Sequence, residues 1–194
     1  MQNTKQKTQR LALGAIMTAL VIILQLIGSF TTFFGPFSTA VALIPIVLGA
    51  AMCGTAVGAW LGFIFGVVVI ASGGAALFFA FDIPGTIVTV LLKGTLCGLA
   101  AGLVYELLKK FNEFLAVLAA AIVCPLVNTG VFLLGCYVFF MDSATQIAET
   151  LQMSFSGMAV FWALAMGNFA VEILSNAVLS PIITRVLKFF QKIK

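Results

Sequence analysis

The sequence predicts an all-α integral membrane protein with six transmembrane helices and both termini in the cytoplasm. Of its 194 residues, 62% are hydrophobic and only 8% are charged, whereas a soluble domain carries about 25% charged residues. The apolar residues form six runs, and basic residues cluster at run ends that six crossings place on one side of the bilayer. So few charges cannot cover a water-facing surface. We therefore expect a single membrane domain over residues 1–194 whose outer surface contacts the lipid bilayer.

The first three apolar runs differ in length. The first span covers about residues 10–28 and follows a short basic tail. The second covers about 39–52 and contains Pro45. It is short for a crossing, which takes about 20 residues unless the helix tilts or lies among neighbours. The third covers about 54–71, and a loop rich in Gly and Phe follows it at about 72–81.

The last three spans are predicted at about 84–109, 114–141 and 157–187. Asp82 and Pro84 open the first of these, since proline is tolerated in the first turn of a helix. A tight turn at Asn112 and Glu113 separates the next two spans. The longest polar loop, about 142–156, precedes the last span, and it is long enough to hold a short interfacial helix.

The basic residues assign the two sides of the membrane. Those that flank the spans are Lys5, Lys7, Arg10, Lys109, Lys110, Arg185, Lys188, Lys192 and Lys194. With six crossings, all of them fall on one side, while the opposite loops hold Asp82, Asp142 and Glu149 and no Lys or Arg. The excess of Lys and Arg on cytoplasmic loops then places both termini in the cytoplasm. Topology explains the basic tails more simply than nucleic-acid binding, so we expect no nucleic-acid partner.

The residue types also exclude several kinds of site. The chain has no histidine, which removes Ser-His and Cys-His catalysis and HExxH metal sites. Its four cysteines stand singly in apolar segments without CxxC spacing, so neither a disulfide framework nor a zinc site is indicated. No GxxxxGK[ST] motif is present for ATP hydrolysis. We expect no enzyme, no metal and no cofactor.

Two spans carry glycines at four-residue spacing, namely Gly54, Gly58, Gly62 and Gly66 in the third and Gly94, Gly98 and Gly102 in the fourth. Residues four apart lie on one helix face, and small residues let helix backbones approach closely in lipid. The favoured interpretation is helix packing within the bundle. The alternative is a face that slides against a partner protein.

A few polar residues interrupt the apolar spans: Lys93, Asn128, Thr129, Asn168, Glu172 and Asn176. A charge at membrane depth costs about 2.5–3.5 kcal/mol on insertion scales, and such residues usually face the interior of the bundle. Asn168, Glu172 and Asn176 are four apart and share one helix face. Lys93 and Glu172 either form a structural pair, or Lys93 meets an anionic ligand in an outward-facing pocket. Both roles can hold together.

Aromatic residues cluster in the two outer loops, with Phe30, Phe33, Phe34 and Phe37 in one and Phe78, Phe79 and Phe81 in the other. Interfacial aromatic residues commonly anchor a protein in the membrane. They would serve equally as flaps over a small-molecule pocket, with Gly73 and Gly74 as hinges.

Taken in order along nearly the whole chain, these features resemble the substrate-binding S components of energy-coupling factor (ECF) vitamin transporters. The features are six spans in about 190 residues, a basic N-terminus before an Ala15–Ala19 motif, and a long first outer loop. The segments that carry the resemblance are Leu43–Gly49 before the glycine-rich span, Lys93–Gly94, Asn128–Thr129 and Asn168 with Glu172.

The resemblance implies a transport mechanism in a bacterial cell membrane. A vitamin is bound from outside in a pocket near the outer ends of the last three spans, closed by the first and third loops. The expected ligand-binding residues are Lys93, Asn128, Thr129, Asn168, Glu172, Phe33, Phe34 and Phe81. A surface that includes Ala12, Ala15 and Ala19 docks on a transmembrane coupling protein. Two ATPase subunits on that partner drive toppling of the S component and release of the vitamin inside the cell.

The pattern is most similar to pantothenate-type members, and Lys93 suits a carboxylate ligand such as pantothenate or a folate. Riboflavin stays an alternative in which Lys93 is purely structural. From other classes, a stand-alone secondary transporter would use Lys93 and Glu172 as a gated ion pair, although the chain has no evident inverted repeat. A purely structural membrane subunit would leave the polar stripe unexplained.

Overall fold

The computed structural model describes residues 2–31, 42–154 and 157–192, and these ranges contain helices and no strand. The helices are α1 (Gln2–Thr31), α2 (Leu43–Cys53), α3 (Thr55–Ala71), α4 (Ala76–Phe79), α5 (Ile83–Leu108), α6 (Glu113–Phe139), α7 (Ala144–Thr150) and α8 (Met158–Lys192). Each of the six predicted runs overlaps a helix, and α1 begins eight residues before the predicted start. Residues 39–41 of the second run lie outside the described residues. The short α4 and α7 lie in segments predicted as loops, and α7 is the helix expected in the longest one.

Among the described residues, four helical segments are long and apolar enough to cross a membrane: Thr8–Ser29, Ile83–Leu108, Glu113–Phe139 and Met158–Phe189. The apolar α2 and α3 are shorter, with 11 and 17 residues, against the roughly 20 of a typical span. Six crossings with both termini in the cytoplasm therefore stay a prediction. We call the end of the bundle where α1 and α3 finish and α5 begins the predicted outer end.

The start of α6 is stabilised by a side-chain cap. The Asn112 side-chain oxygen accepts hydrogen bonds from the backbone N–H groups of Phe114 at 2.9 Å and Leu115 at 3.2 Å. Asparagine is among the best residues for this position because its side chain satisfies N–H groups that have no partner within the helix. Asp82 stands in extended backbone before α5, with Pro84 in the first turn as predicted.

The α2–α3 hairpin turns on one glycine. Gly54 joins the two helices with φ at 104°, a conformation that side chains with a Cβ rarely adopt. Beyond this turn the helices run antiparallel, since a Cβ placed on Gly58 would lie 2.7 Å from the Cβ of Ala50. One residue thus reverses the chain and brings the glycine-rich α3 back beside α2.

The glycine faces of α3 and α5 pack directly against each other. A Cβ on Gly62 would collide with the Gly94 carbonyl, and one on Gly98 would collide with the carbonyl of Gly58. At the predicted outer end, a Cβ on Gly66 would lie 2.9 Å from the Val90 carbonyl oxygen. The predicted packing role of these glycines is confirmed. The alternative, in which both faces slide on a partner protein, is wrong because each covers the other.

Buried apolar side chains form two clusters. The larger one joins α1, α2, α3, α5, α6 and α8 and includes Val21, Ile46, Phe65, Val117 and Ile183. The smaller one lies at the predicted outer end, where Phe140, Ile147 and Phe161 bring together the end of α6, α7 and the start of α8. The polar cavity described below is lined by residues that adjoin both clusters.

Candidate ligand-binding site

A cavity of about 300 Å³ lies at the predicted outer end, lined by α1, α3, α5, α6, α8 and the segment between α3 and α5. Its volume is at the lower end of the range for small-molecule sites, which runs from about 300 to 1,000 Å³. Three aromatic side chains, Phe65, Phe78 and Phe132, contribute to its walls. An apolar wall interrupted by a few polar groups is the usual construction of a small-molecule site.

Five residues predicted from the sequence line this cavity together: Lys93, Asn128, Thr129, Asn168 and Glu172. They come from three helices that meet at this end. Asn168 and Glu172 are one turn apart on α8, so they present to the same side. Polar side chains within membrane helices turn towards the interior of the bundle because lipid cannot hydrogen-bond with them.

Lys93 is half-buried in α5. Its Nζ lies 5.3 Å from the centroid of the Phe132 ring, within the range in which a cation is attracted to the face of an aromatic ring. It is also close enough to Glu172 for the two charges to attract each other. An ammonium group has three donors, so these two neighbours leave it able to bind a further group in the cavity.

Glu172 is 2% exposed, and Asn128 is 5% exposed. The Asn128 Nδ2 donates to the Glu172 Oε2 at 3.4 Å, which links α6 to α8. The Asn128 Oδ1 is buried without a hydrogen-bond partner in the part of the chain that the structure describes. The Glu172 carboxylate is thus held in the wall, while the Asn128 Oδ1 beside it is an acceptor without a donor among the described residues.

The sequence reasoning missed the contribution of α1. Gln25 lines the cavity and is 1% exposed. Its Nε2 donates to the Ser29 Oγ at 3.4 Å, and the Ser29 Oγ donates to the Ser72 Oγ at 2.8 Å. This chain of polar groups ties α1 to the end of α3. The available signal was a single amide side chain in an otherwise apolar first span.

The aromatic predictions fare differently from the polar ones. Phe81 packs against the smaller apolar cluster and is not among the residues that line the cavity, so its role in ligand binding stays a prediction. Phe78, three residues earlier, lines it instead and meets the Phe132 ring edge-on with centroids 5.5 Å apart. Phe33 and Phe34 lie outside the described residues.

The helix-1 alanines lie away from the cavity, on the bundle surface. Ala12, Ala15 and Ala19 are exposed. Ala15 lines an open groove of about 870 Å³ between α1 and α3, whose walls also include Arg10 and Trp60. The surface expected to dock a partner is therefore accessible along α1.

Within the described ranges, no three His, Cys, Asp or Glu residues lie close enough together to hold a metal ion. Cys53, Cys97, Cys124 and Cys136 are buried thiols. Cys97 and Cys124 belong to the larger apolar cluster and Cys136 to the smaller one, so these three thiols contribute to helix packing.

Comparison with known proteins identifies a family and a similar solved structure. The family model described as "ECF transporter, substrate-specific component" matches residues 9–187. A solved structure of ThiT from Listeria monocytogenes superposes with a TM-score of 0.62 at 16% sequence identity, covering 96% of this chain and 97% of that one. At this identity the likeness concerns the fold alone. No curated protein matches the sequence.

Proposed function

This chain belongs to the family of ECF transporter substrate-specific components, and we propose that it captures a vitamin carrying a carboxylate, with pantothenate as the best candidate. Components of this family bind a small-molecule substrate and pair with an ECF module made of ATPases and a T component. They are transporter subunits and not a class of enzymes.

The observation that carries the proposal is the position of Lys93. Its ammonium group lines a cavity of ligand size together with three aromatic side chains. A lysine in a membrane span is costly unless a specific interaction stabilises it. A ligand carboxylate supplies that interaction, since a charge-assisted hydrogen bond is roughly twice as strong as a neutral one.

Glu172 has a positioning role in this scheme. Its carboxylate attracts the Lys93 ammonium and accepts from Asn128. The attraction and the hydrogen bond favour positions of both side chains in the wall, and an ammonium with three donors can serve Glu172 and a ligand together. Thr129 and Asn168 line the same cavity and are proposed to hydrogen-bond with the uncharged part of the ligand.

The proposed route follows the topology. In this topology six spans cross a bacterial cell membrane with both termini in the cytoplasm, and the cavity lies at its outer face. The exposed alanines of α1 dock on the transmembrane coupling protein, and ATP hydrolysis by two partner subunits drives release inside. The accessible groove beside Ala15 supports this docking surface.

Binding by the purified protein tests the proposal. Melting temperature and calorimetry would be measured with pantothenate, a folate and riboflavin, for the wild type and for Lys93→Met. We expect a carboxylate vitamin to bind the wild type and to bind the variant at least tenfold more weakly. Binding of riboflavin alone, with no effect of Lys93→Met, would overturn the assignment. Uptake by this chain without ATPase partners would favour a stand-alone transporter instead.

A further inference from the structure

Gln25 is a buried polar side chain whose oxygen has no hydrogen-bond partner among the described residues. It lies on α1, outside the helices that carry Lys93, Asn128 and Glu172, yet it lines the same cavity. Its amide nitrogen donates to Ser29, which orients the side chain. Its Oε1 is buried and, in the described part of the chain, has no hydrogen-bond partner.

Asn128 repeats this arrangement on the α6 side of the cavity. Its amide nitrogen donates to Glu172, and its Oδ1 is buried without a partner among the described residues. Buried polar atoms in folded proteins are nearly always hydrogen-bonded, and leaving one unpaired is unfavourable. Two side-chain amides in one small cavity that both leave their oxygen unpaired therefore indicate a missing partner that donates hydrogen bonds.

Lys93, which lines the same cavity, differs from these two amide oxygens because it donates hydrogen bonds and does not accept them. The Lys93 ammonium can only donate, so it requires an acceptor or an anion on the ligand. Among the groups that line the cavity are thus a positively charged donor, Lys93, beside the Glu172 carboxylate, and two neutral amide oxygens on Gln25 and Asn128. An anionic ligand group suits the ammonium, and hydrogen-bond donors on the ligand suit the two amide oxygens.

We infer that the cavity binds a small carboxylate with at least two hydrogen-bond donors, such as hydroxyl groups, and that the oxygens of Gln25 and Asn128 accept from those donors. This inference rests on the proposed function and narrows it to a substrate class. It also assigns Gln25 as a ligand-binding residue on α1. A carboxylate of the same size without donors leaves both amide oxygens unpaired and binds weakly.

A matched pair of ligands and a matched pair of variants test the inference. The ligands are pantothenate, which has two hydroxyl groups, and its analogue with both hydroxyls replaced by hydrogen. The variants are Gln25→Met, which keeps length and removes the acceptor, and Asn176→Leu, a control at a buried residue of α8 that does not line the cavity. Calorimetry on detergent-purified protein gives each dissociation constant.

We expect the wild type and Asn176→Leu to prefer pantothenate over the analogue by at least about tenfold, since one hydrogen bond contributes about that factor. Gln25→Met should weaken pantothenate binding and shrink this preference, while affecting the analogue little. Equal affinity of both ligands for the wild type overturns the inference and leaves the proposed function standing.

Two further outcomes would also overturn it. If Gln25→Met keeps the full preference, the ligand does not donate a hydrogen bond to Gln25. If neither compound binds the wild type, this inference and the pantothenate assignment fall together. If Gln25→Met fails to fold, Gln25→Leu serves as the neutral variant without an acceptor, and a full preference for pantothenate over the analogue in that variant counts against the inference.

Discussion

The side-chain nitrogen of Asn128 lies 3.4 Å from a carboxylate oxygen of Glu172 and joins α6 to α8 in the wall of the cavity. Both residues are almost fully buried. A carboxylate within the membrane is favourable only when other groups compensate its charge. The hydrogen bond from Asn128 and the nearby charge of Lys93 both stabilise the Glu172 carboxylate. The chain can therefore keep three strongly polar side chains in the wall of the cavity.

Replacing Glu172 by Gln should increase the affinity for a carboxylate ligand several-fold. The substitution preserves the shape and an oxygen that can accept from Asn128, and it removes a negative charge that repels the ligand. Calorimetry with the carboxylate vitamin that binds the wild type provides the measurement. A tenfold loss in a variant that is still folded would mean that Glu172 binds the ligand directly.

Replacing Lys93 by Met should reduce the affinity for a carboxylate by at least tenfold and leave the protein folded. Methionine fills a similar volume and keeps an apolar contact with Phe132, but it has no donor. Circular dichroism and size-exclusion elution establish the fold, and Lys93→Arg serves as the control that keeps the charge. Collapse of Lys93→Met, with a folded Lys93→Arg, would favour the purely structural pair.

Replacing Gly62 by Leu should destabilise the bundle by about 2 kcal/mol or more, because overpacking a close contact typically costs about 1–3 kcal/mol. Even a Cβ at this position collides with the Gly94 carbonyl. Gly130→Ala is the matched control, since a Cβ there meets nothing within 4 Å and alanine favours a helix by about 0.5–1 kcal/mol. The melting temperature should fall for the first variant and hold or rise for the second. An equal response in both would contradict the packing of α3 on α5.

Replacing Asn176 by Leu should raise the melting temperature. Asn176 is 0% exposed, and neither atom of its amide has a hydrogen-bond partner in the described part of the chain. An unsatisfied buried polar group costs about 1–3 kcal/mol, and leucine of similar volume avoids that cost. Thermal unfolding in detergent measures the shift. A lower melting temperature would show that Asn176 has a partner that stabilises the fold.

Replacing Ala15 by Trp should leave ligand binding intact and abolish ATP-dependent uptake. Ala15 is exposed and remote from the cavity-lining residues, while a large side chain there blocks close approach of a partner helix. Leu134→Trp is the control, because Leu134 is exposed on α6. Uptake is measured in cells or vesicles that contain the complete transporter. Normal uptake by the Ala15 variant would remove α1 from the docking surface.

Most of the fold follows from local features of the sequence. Apolar runs, glycines at four-residue spacing and the caps at Asp82 and Asn112 each act within a helix or between its neighbours along the chain. The polar cavity residues were also predictable, because lipid excludes polar side chains and forces Lys93, Asn128 and Glu172 inward. The packing of α3 against α5 requires only that each helix has a face of glycines at four-residue spacing.

Other parts depend on contacts between distant segments. Gln25 acquires its orientation through Ser29 and Ser72, and Ser72 is 43 residues beyond Ser29. A single polar residue in one span has no periodic pattern that reveals such a neighbour. Phe78 lines the cavity and Phe81 packs against the smaller apolar cluster, although both belong to the same short loop segment of the sequence. Spacing along the chain does not determine which ring turns towards the cavity.

The central claim is that the cavity around Lys93 holds a small carboxylate ligand. Mass spectrometry of small molecules released from detergent-purified protein tests it most directly, with the Lys93→Met variant prepared in parallel. The account predicts a near-stoichiometric compound in the wild type that has one carboxylate and at least two hydrogen-bond donors, and its depletion in the variant. An empty wild type that no carboxylate vitamin stabilises, or a neutral compound retained equally by both proteins, would contradict the account.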